Sequence, residues 1–352
     1  MDNYQDVVHQ MEQFGIEFKQ KDLPLQIGLP KRKTCGLKGK DWYKLYIFRP
    51  RAGGELILGR FGTYRHGGSS QRVEVDWQPL SDAEKARLKA ERDAAAARAQ
   101  AERAKEVALA AMDALSHWRA AAKDGESDYL KRKGVQGESC RYIPAAMALR
   151  WPGREPGEDD TVVYLPKGTL VLPLIRFDKP REDALRGVQF IRPDGAKIYL
   201  RGFDKPGCAL RLGDVVDVPV LALVCEGYAT GLTIRAATDW LYPVFVAFDA
   251  GNLVHVVPIV RELLPNTRIL LCADDDYKTF DRQTGKLTNP GRTTARKVAK
   301  DVPGCDMVWP VFNPVTRGEK DTDFNDLHQR EGLAVAQRQL QGVIKDMAVR
   351  YG

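Results

Sequence analysis

The sequence has few of the features that identify a secreted, membrane-bound or zinc-binding protein. Its six cysteines are scattered singly and form no C-x-x-C pair, which excludes a four-cysteine zinc ribbon. No apolar run approaches the roughly 20 residues that a membrane helix needs, and the N-terminus lacks the basic-then-apolar pattern of a signal peptide. The phosphate-binding pattern G-x-x-x-x-G-K-[ST] is absent too. These absences predict a cytoplasmic protein in which Cys225 and Cys272 are reduced core thiols.

Acidic residues are scarce near the N-terminus. Between Lys31 and Arg72 there are eleven Lys and Arg but only two acids, while the whole chain of 352 residues has a net charge of +7. Aromatic residues interleave with these cations in two predicted strands, 41–50 and 55–65, and a third strand is expected at 72–77. Such a module suits single-stranded nucleic acid, because bases stack on rings and cations follow the backbone. The alternative is that the aromatic residues form the core of a small domain.

Residues 1–78 are therefore predicted to be a basic, β-rich nucleic-acid-binding module. Nothing in the pattern indicates recognition of a particular base sequence. The candidate binding residues are Lys38, Lys40, Trp42, Lys44, Tyr46, Arg49, Arg51, Arg60, Tyr64 and Arg65.

Glycine and proline are missing from residues 81–123, which are rich in Ala, Glu, Lys and Arg. This predicts one long helix, about 60 Å if unbroken, and residues 79–124 are interpreted as a helical connector. An apolar stripe predicts that its end packs on the following domain. The stripe consists of Leu109, Met112, Leu115 and Trp118. A dimerising coiled coil is less favoured, because apolar heptads are missing.

Two different patterns follow the predicted helix. Apolar segments separated by polar turns predict an antiparallel meander within a small α+β subdomain, residues 125–215. In residues 216–352, four apolar strands without alternation are each followed by a helical segment, which predicts a parallel sheet flanked by helices, with further C-terminal helices. The expected fold class is therefore α/β, preceded by the antiparallel subdomain, the long helix and the N-terminal β-rich module.

Acids follow each of the four predicted parallel strands. They are Glu226, then Asp249, then Asp274, Asp275 and Asp276, and finally Asp323 and Asp326. The carboxyl ends of parallel strands are where α/β sheets bind ligands. Crowded carboxylates resist ionisation unless a cation lies between them, and hard divalent cations prefer oxygen ligands. The pattern favours a Mg²⁺ or Mn²⁺ site over a solvated acidic loop.

The order of these motifs resembles the Toprim domain shared by bacterial-type primases, topoisomerases and some nucleases. That domain has an apolar strand ending in Glu-Gly and a later one ending in Asp-x-Asp. The segments similar to the Toprim primases of phages, plasmids and other mobile elements are LVCEGYATGLTI, VAFDAGNL, CADDDYK, NPGRTTA and TDFNDLH. Upstream, YLKRKGV and LVLPLIRFDK to IYLRG resemble the N-terminal part of that catalytic core, so the resemblance covers residues 125–335.

The resemblance implies roles for particular residues. The catalytic residues implied are Glu226, Asp274 and Asp276, and the metal ligands implied are Glu226, Asp274, Asp276, Asp323 and Asp326. They would hold two Mg²⁺ or Mn²⁺ ions, with Asp249 either a further ligand or a helix cap. The basic residues implied to meet template or nucleotide phosphates are Lys197, Arg201, Lys278, Arg132 and Lys133.

The function implied by the resemblance is that of a DNA primase. Such a nucleotidyltransferase joins NTPs into short RNA primers on a single-stranded DNA template during replication of a mobile genetic element, and a separate replicative helicase is an expected partner. Two alternatives stay open: a metal-dependent Toprim nuclease, and a non-catalytic DNA-binding replication or mobilisation factor. The chain departs from the replicative primases of bacteria, which carry an N-terminal zinc ribbon. Template selection is therefore expected to depend on another region, such as residues 1–78.

Overall fold

In the computed structural model the chain divides into two compact units, residues 1–104 and 105–352. The structure describes residues 3–29, 31–49, 54–65, 68–75, 82–153, 159–215, 218–280 and 285–351, apart from the side chains of residues 38, 82–85, 88 and 351. None of the helices within these ranges has the length and apolar character needed to cross a bilayer.

The first unit contains a four-stranded antiparallel sheet in the order β1-β2-β3-β4. Its elements are helix α1 (Tyr4–Gln13), two 3₁₀ turns (Gln20–Asp22 and Leu37–Gly39), and strands β1 (Lys33–Cys35), β2 (Asp41–Phe48), β3 (Leu56–Thr63) and β4 (Ser69–Arg72). One face packs against α1, where Val7 and Met11 meet Tyr43, Leu45 and Phe61. The strand that was expected at 72–77 is β4, and it lies earlier in the chain than expected. The chain pairs with β3 from Ser69 onwards.

A single long helix, α2 (Asp82–Ala120), follows as predicted, and the division between the two units falls inside it. The predicted apolar stripe is wrong. Leu109 and Met112 are 66% and 70% exposed, whereas Ala110 and Ala114 are buried. Successive steps of three residues drift about 60° around a helix, so the stripe does not lie on one face. Alanines four residues apart do share a face, and there Ala114 joins Trp118 in a core that contains Phe190.

After the end of α2, the second unit continues with α3 and a mainly antiparallel region. The elements are α3 (Asp128–Lys133), β5 (Arg141–Tyr142), β6 (Met147–Trp151), β7 (Thr161–Leu165), β8 (Leu170–Ile175), β9 (Leu185–Ile191) and β10 (Lys197–Tyr199). Strands β6 and β7 pair as a hairpin. The other four strands form an antiparallel sheet in the order β10-β9-β8-β5, which confirms the predicted meander.

A five-stranded sheet forms the rest of the second unit, in the order β11-β13-β12-β14-β17. Its strands and the elements around them are β11 (Leu210–Leu212), β12 (Leu221–Cys225), α4 (Tyr228–Ala237), β13 (Val244–Val246), α5 (Ala250–Leu263), β14 (Arg268–Cys272), β15 (Thr279–Phe280), β16 (Leu287–Thr288), α6 (Pro290–Asp301), β17 (Cys305–Val308), α7 (Phe324–Glu331) and α8 (Leu333–Tyr351). Strands β12, β13, β14 and β17 are parallel, and β11 is an antiparallel edge strand. The predicted α/β fold is confirmed.

Both faces of the parallel sheet are covered, which explains why its strands read as continuous apolar runs. Leu223 and Cys225 of β12 point to the core formed with α4, α7 and α8. Their neighbours Ala222 and Val224 point to the core formed with α5 and α6. Polar groups that follow these strands can therefore face an open site only beyond the strand ends.

Candidate functional site

The chain reverses its direction of growth across the sheet between β12 and β14. From β12 it moves outward to β13 on one side, then returns to β14 and β17 on the other. Such a reversal opens a crevice at the carboxyl ends of the two central strands. Cys225 and Cys272 are register partners on these strands. Glu226 and Asp274 follow them by one and two residues, so the sheet brings both acids to the crevice.

Two carboxylate oxygens in this crevice are buried without a hydrogen-bond partner among the described residues, Oε1 of Glu226 and Oδ1 of Asp274. Burial, reinforced by the negative charge of Asp276, raises the pKa of Glu226 to about 7. Burial, reinforced by Glu226 and Asp323, also holds the pKa of Asp274 well above its usual range. Leaving a buried polar atom unpaired costs stability, so these two oxygens are candidate ligands for a cation.

Asp276 lies against the first turn of α6. Its Oδ2 accepts a hydrogen bond of 3.0 Å from the backbone N–H of Gly291, and its own N–H donates to Oδ1 of Asn289 at 3.0 Å. The positive end of a helix dipole favours a carboxylate there. A Cβ atom at Gly291 would lie 2.4 Å from the carbonyl oxygen of Asp274 and 3.0 Å from Oε1 of Glu226, so only glycine allows this close approach.

Asp275 points away from its two neighbours and has a different environment. Its carboxylate is paired with Arg317 at 2.9 Å and Arg292 at 3.3 Å, and it accepts a hydrogen bond of 2.7 Å from Nδ2 of Asn289. The Arg317 guanidinium lies 3.6 Å from the ring centroid of Tyr277. Asp275 therefore anchors the loop that carries Asp274 and Asp276, and its oxygens are already satisfied by protein groups.

Asp323 and Asp326 form a reciprocal cap at the start of α7. Oδ1 of Asp323 accepts from the N–H of Asp326 at 2.8 Å, and Oδ2 of Asp326 accepts from the N–H of Asp323 at 3.3 Å. Oδ2 of Asp323 also accepts a hydrogen bond of 2.8 Å from the Thr230 hydroxyl. Burial, with the nearby charge of Asp326, raises the pKa of Asp323. The negative charge of Asp323 helps to raise the pKa of both Asp274 and Glu226, and that of Asp326 helps to raise the pKa of Asp274.

Asp249 is a helix cap. Its Oδ1 accepts from the N–H of Asn252 at 2.8 Å at the start of α5, and its Oδ2 pairs with Nζ of Lys205. Its side chain is 49% exposed. The structure shows the cap, and the interpretation of Asp249 as a further metal ligand stays a prediction.

The acidic residues fit a divalent cation by their donor chemistry. Hard cations take carboxylate oxygens, and the unpaired oxygens of Glu226 and Asp274 are donors of that kind. In the described part of the chain, no three His, Cys, Asp or Glu side chains are already gathered as a complete cation-binding group. A bound cation would offset both the burial and the mutual repulsion that raise the pKa values of Glu226, Asp274 and Asp323.

A cleft of about 640 Å³ has Asp323 and Asp326 in its wall, whereas Glu226, Asp274 and Asp276 are not among its lining residues; Gly227, next to Glu226, is. Its walls come from the end of α3, the β9–β10 turn, the start of α4, and α7 with the segment before it. The lining side chains with charge are Arg132, Lys133, Asp194, Lys197, Asp321, Asp323, Asp326 and Arg330. Nζ of Lys133 lies 3.4 Å from Oδ1 of Asp326, so the basic and acidic sides of the cleft meet there.

Residues 221–334 match the profile of a protein family described as Toprim domain. The chain contains a Toprim domain. Over 129 residues it is 33% identical to DNA primase TraC of Escherichia coli; the match covers 36% of this chain but only 12% of that protein.

Solved primase structures are also similar to this chain, at low identity. The primase fragment of the bacteriophage T7 primase-helicase is 14% identical with a TM-score of 0.35, covering 51% of this chain and 66% of that one. The RNA polymerase domain of Mycobacterium tuberculosis primase DnaG is 14% identical with a TM-score of 0.39, covering 68% of this chain and 83% of that one. No residue role follows from likenesses of this size.

The structure separates the basic residues that the sequence grouped around the Toprim domain. Arg132, Lys133 and Lys197 line the cleft. Arg201 lies over the ring of Trp151, 4.5 Å from its centroid, and donates to Thr161. Lys278 is exposed and pairs with Glu319 at 3.0 Å. Arg201 and Lys278 are thus engaged by other protein groups, and neither is among the cleft-lining residues.

Sequence reasoning missed the residues that hold the acidic loop in place. Arg317 and Thr230 gave no signal, because each reaches its partner only through the folding of distant segments. The sequence did contain a signal for Asn289, because Asn before Pro is a frequent start of a helix. Asn289 caps α6. Arg330, which lines the cleft, was also missed.

In the first unit, the ten predicted nucleic-acid residues have different environments. Lys40, Lys44, Arg60 and Tyr64 are exposed, Tyr46 is half-buried and Trp42 is buried. Arg49 pairs with Glu55, and Arg65 pairs with the buried Asp41. Arg51 and the side chain of Lys38 lie outside the described residues. Tyr43, Phe48 and Phe61 are buried, so part of the aromatic content does form the core.

Proposed function

We propose that this protein is a DNA primase of the type carried by phages, plasmids and other mobile elements. It would synthesise short RNA primers on single-stranded DNA in the cytoplasm, with NTPs as substrates and a separate replicative helicase as a partner. The observation that carries the proposal is the pair of unpaired buried oxygens of Glu226 and Asp274 at the central strand ends. They lie beside a cleft whose basic residues suit phosphate groups.

Phosphoryl transfer needs positioning and neutralisation of charge more than covalent help from the protein. The proposed ligands of two Mg²⁺ or Mn²⁺ ions are Glu226, Asp274, Asp276 and Asp323, and the capping acid Asp326 is a weaker candidate. Bound cations of this kind activate an attacking hydroxyl and stabilise a leaving pyrophosphate.

The basic side of the cleft would bind the phosphates of the nucleotide or the template. Arg132 and Lys197 are exposed in its wall and Lys133 lies next to Asp326. The first turn of α4, from Gly227 to Thr230, also lines the cleft, and the N–H groups of a helix start favour anionic groups. Phosphate oxygens bound there would be held next to the acidic strand ends, where nucleotidyl transfer would take place.

The test is primer synthesis by the full chain on single-stranded DNA with labelled NTPs and Mg²⁺ or Mn²⁺. We expect short labelled oligonucleotides that require both template and cation. The variant Asp274→Asn/Asp276→Asn should lose this activity by about 1,000-fold, because removing charge at the transition state costs several kcal/mol. The matched control is Asp301→Asn, the same change at the exposed far end of α6, which should keep wild-type activity.

Two outcomes would count against the proposal. Cation-dependent shortening of the DNA without NTP incorporation would identify a nuclease instead. Primer synthesis that survives in Asp274→Asn/Asp276→Asn would show that these acids are not the working site.

A further inference from the structure

The outer face of the N-terminal sheet has a row of cations that the sequence did not single out as a unit. Tyr43 and Leu45 of β2 point into the core, so Lys44 between them points to the opposite face. By the same alternation Arg60 of β3 and Arg72 of β4 point outward, and all three are exposed. Lys44 is the register partner of Arg60, and Arg60 is the register partner of Arg72.

This row opposes the stability of the sheet. Neighbouring strands are about 4.8 Å apart, and like charges directly opposite each other are destabilising. Within the part of the unit that the structure describes, none of the three is in an ion pair, and Arg60 donates only to the Ser70 hydroxyl at 3.0 Å. The same unit does pair Arg49 with Glu55 and Arg65 with Asp41. The row therefore has a charge pattern that a polyanion would neutralise.

Aromatic side chains flank one end of the row. Trp42 is on the same strand face as Lys44, two residues away, but it is 6% exposed because the guanidinium of Arg32 lies 4.0 Å from its ring centroid. Tyr64 lies 6.1 Å from Trp42 between ring centroids and is 49% exposed. Gly62, the register partner of Trp42, adds no side chain between them. The accessible ring beside the row is thus Tyr64, supported by Trp42 beneath it.

We propose that this outer face is a binding site for single-stranded DNA. The DNA backbone crosses strands β2, β3 and β4, with its phosphates on Lys44, Arg60 and Arg72 and an unpaired base stacked on Tyr64. An exposed ring next to a row of cations favours a single strand, because the π-faces of bases in a duplex are already stacked. The choice of DNA as the polymer rests on the proposed primase function. The binding of a single-stranded polyanion is argued from the row and the ring alone.

The test uses the full chain and a fluorescently labelled oligothymidylate, without NTPs or divalent cations, with affinity measured by anisotropy across a salt series. The variant Lys44→Gln/Arg60→Gln/Arg72→Gln should bind at least tenfold more weakly. Its slope of log affinity against log salt should fall by about 2, since a single strand loses roughly 0.7 per phosphate contact. Its melting temperature should not fall, because the repulsion in the row has been removed.

The matched control is Lys21→Gln/Lys89→Gln/Arg92→Gln, which removes the same charge from exposed positions outside the sheet. It should change the affinity less than twofold; a loss equal to that of the row variant would overturn the proposal. Tyr64→Ala should weaken binding several-fold with an unchanged salt slope, and Tyr64→Phe should restore it. A duplex of equal length that binds as tightly as the single strand would also overturn it.

The same measurement separates this proposal from the proposed function. Asp274→Asn/Asp276→Asn should not weaken oligonucleotide binding, since these acids lie outside the row's unit and their removal takes away only negative charge. If the chain fails to make primers but the row variant still loses binding, the primase proposal fails and the DNA site stands. If primers are made and the row variant binds normally, the DNA site fails alone.

Discussion

The two compact units hold like charges in opposite ways. In residues 105–352, carboxylate oxygens of Glu226 and Asp274 are buried at the ends of central strands. In residues 1–104, the cations Lys44, Arg60 and Arg72 are exposed on a sheet face. Salt screens exposed charges beyond about 10 Å but hardly affects buried ones. The repulsion between buried acids therefore changes pKa values and stability, whereas that between exposed cations acts mainly on salt-dependent binding.

The largest effect that would sharpen this comparison is expected from Asp275→Ala. The substitution leaves Arg317 and Arg292, whose side chains are 16% and 30% exposed, without their carboxylate. Breaking a buried pair costs about 3 kcal/mol, measured as the free energy of unfolding in urea. The matched change in the first unit is Glu55→Ala, which breaks the exposed pair with Arg49 and should cost less than about 1 kcal/mol. Equal losses would remove the distinction between the units.

A smaller effect is expected from the pH dependence of stability without divalent cations. Because the pKa of Glu226 is about 7 in the folded chain and about 4.3 when unfolded, the folded state holds the proton more tightly. Stability is then fully present below pH 4.3 and is lost as the pH rises through 7. Glu226→Gln should remove this loss and should therefore be more stable than the wild type at pH 8.

Thermal unfolding at pH 5.5 and pH 8, with and without Mg²⁺, measures this difference. Mg²⁺ should stabilise the wild type more at pH 8 than at pH 5.5, because it binds the ionised acids, and it should stabilise Glu226→Gln less. An unchanged pH slope in Glu226→Gln would show that another group is responsible.

The smallest effect is expected from Lys278→Ala. Lys278 and Glu319 are 50% and 86% exposed, and exposed pairs contribute little. The midpoint of urea denaturation should therefore be the same as that of the wild type. The KM for NTPs in primer synthesis should also stay within twofold of the wild type. A several-fold rise in KM would support the sequence-based prediction that this lysine meets nucleotide phosphates.

The parallel sheet and the position of Glu226 and Asp274 were predictable from local sequence. Continuous apolar strands are typical of a sheet covered on both faces, and the acids follow β12 and β14 directly. The carboxyl ends of parallel strands lie at one edge of the sheet. The positions of these two acids just after their strands were therefore enough to place them at that edge.

The surroundings of the acids were not predictable in the same way. Asp275 is paired with Arg317, 42 residues further along the chain, and Asp323 bonds to Thr230 across 93 residues. Such pairs depend on how α4, α6 and α7 pack around the sheet. The error at Leu109 and Met112 has a different origin. The prediction relied on hydrophobicity and ignored that residues three apart rotate away from one helix face. It also ignored that small alanine side chains allow close helix packing.

The side chain of Asn289 has a consequence for how this protein can vary. Its Oδ1 bonds to the N–H of Asp276 and its Nδ2 bonds to Asp275, which ties together the two ends of the segment from Tyr277 to Thr288. Closing a longer loop costs little once its ends are held, since the entropy grows only with the logarithm of its length. A longer connection between Phe280 and Leu287 is therefore expected to leave Asp274 and Asp276 in place.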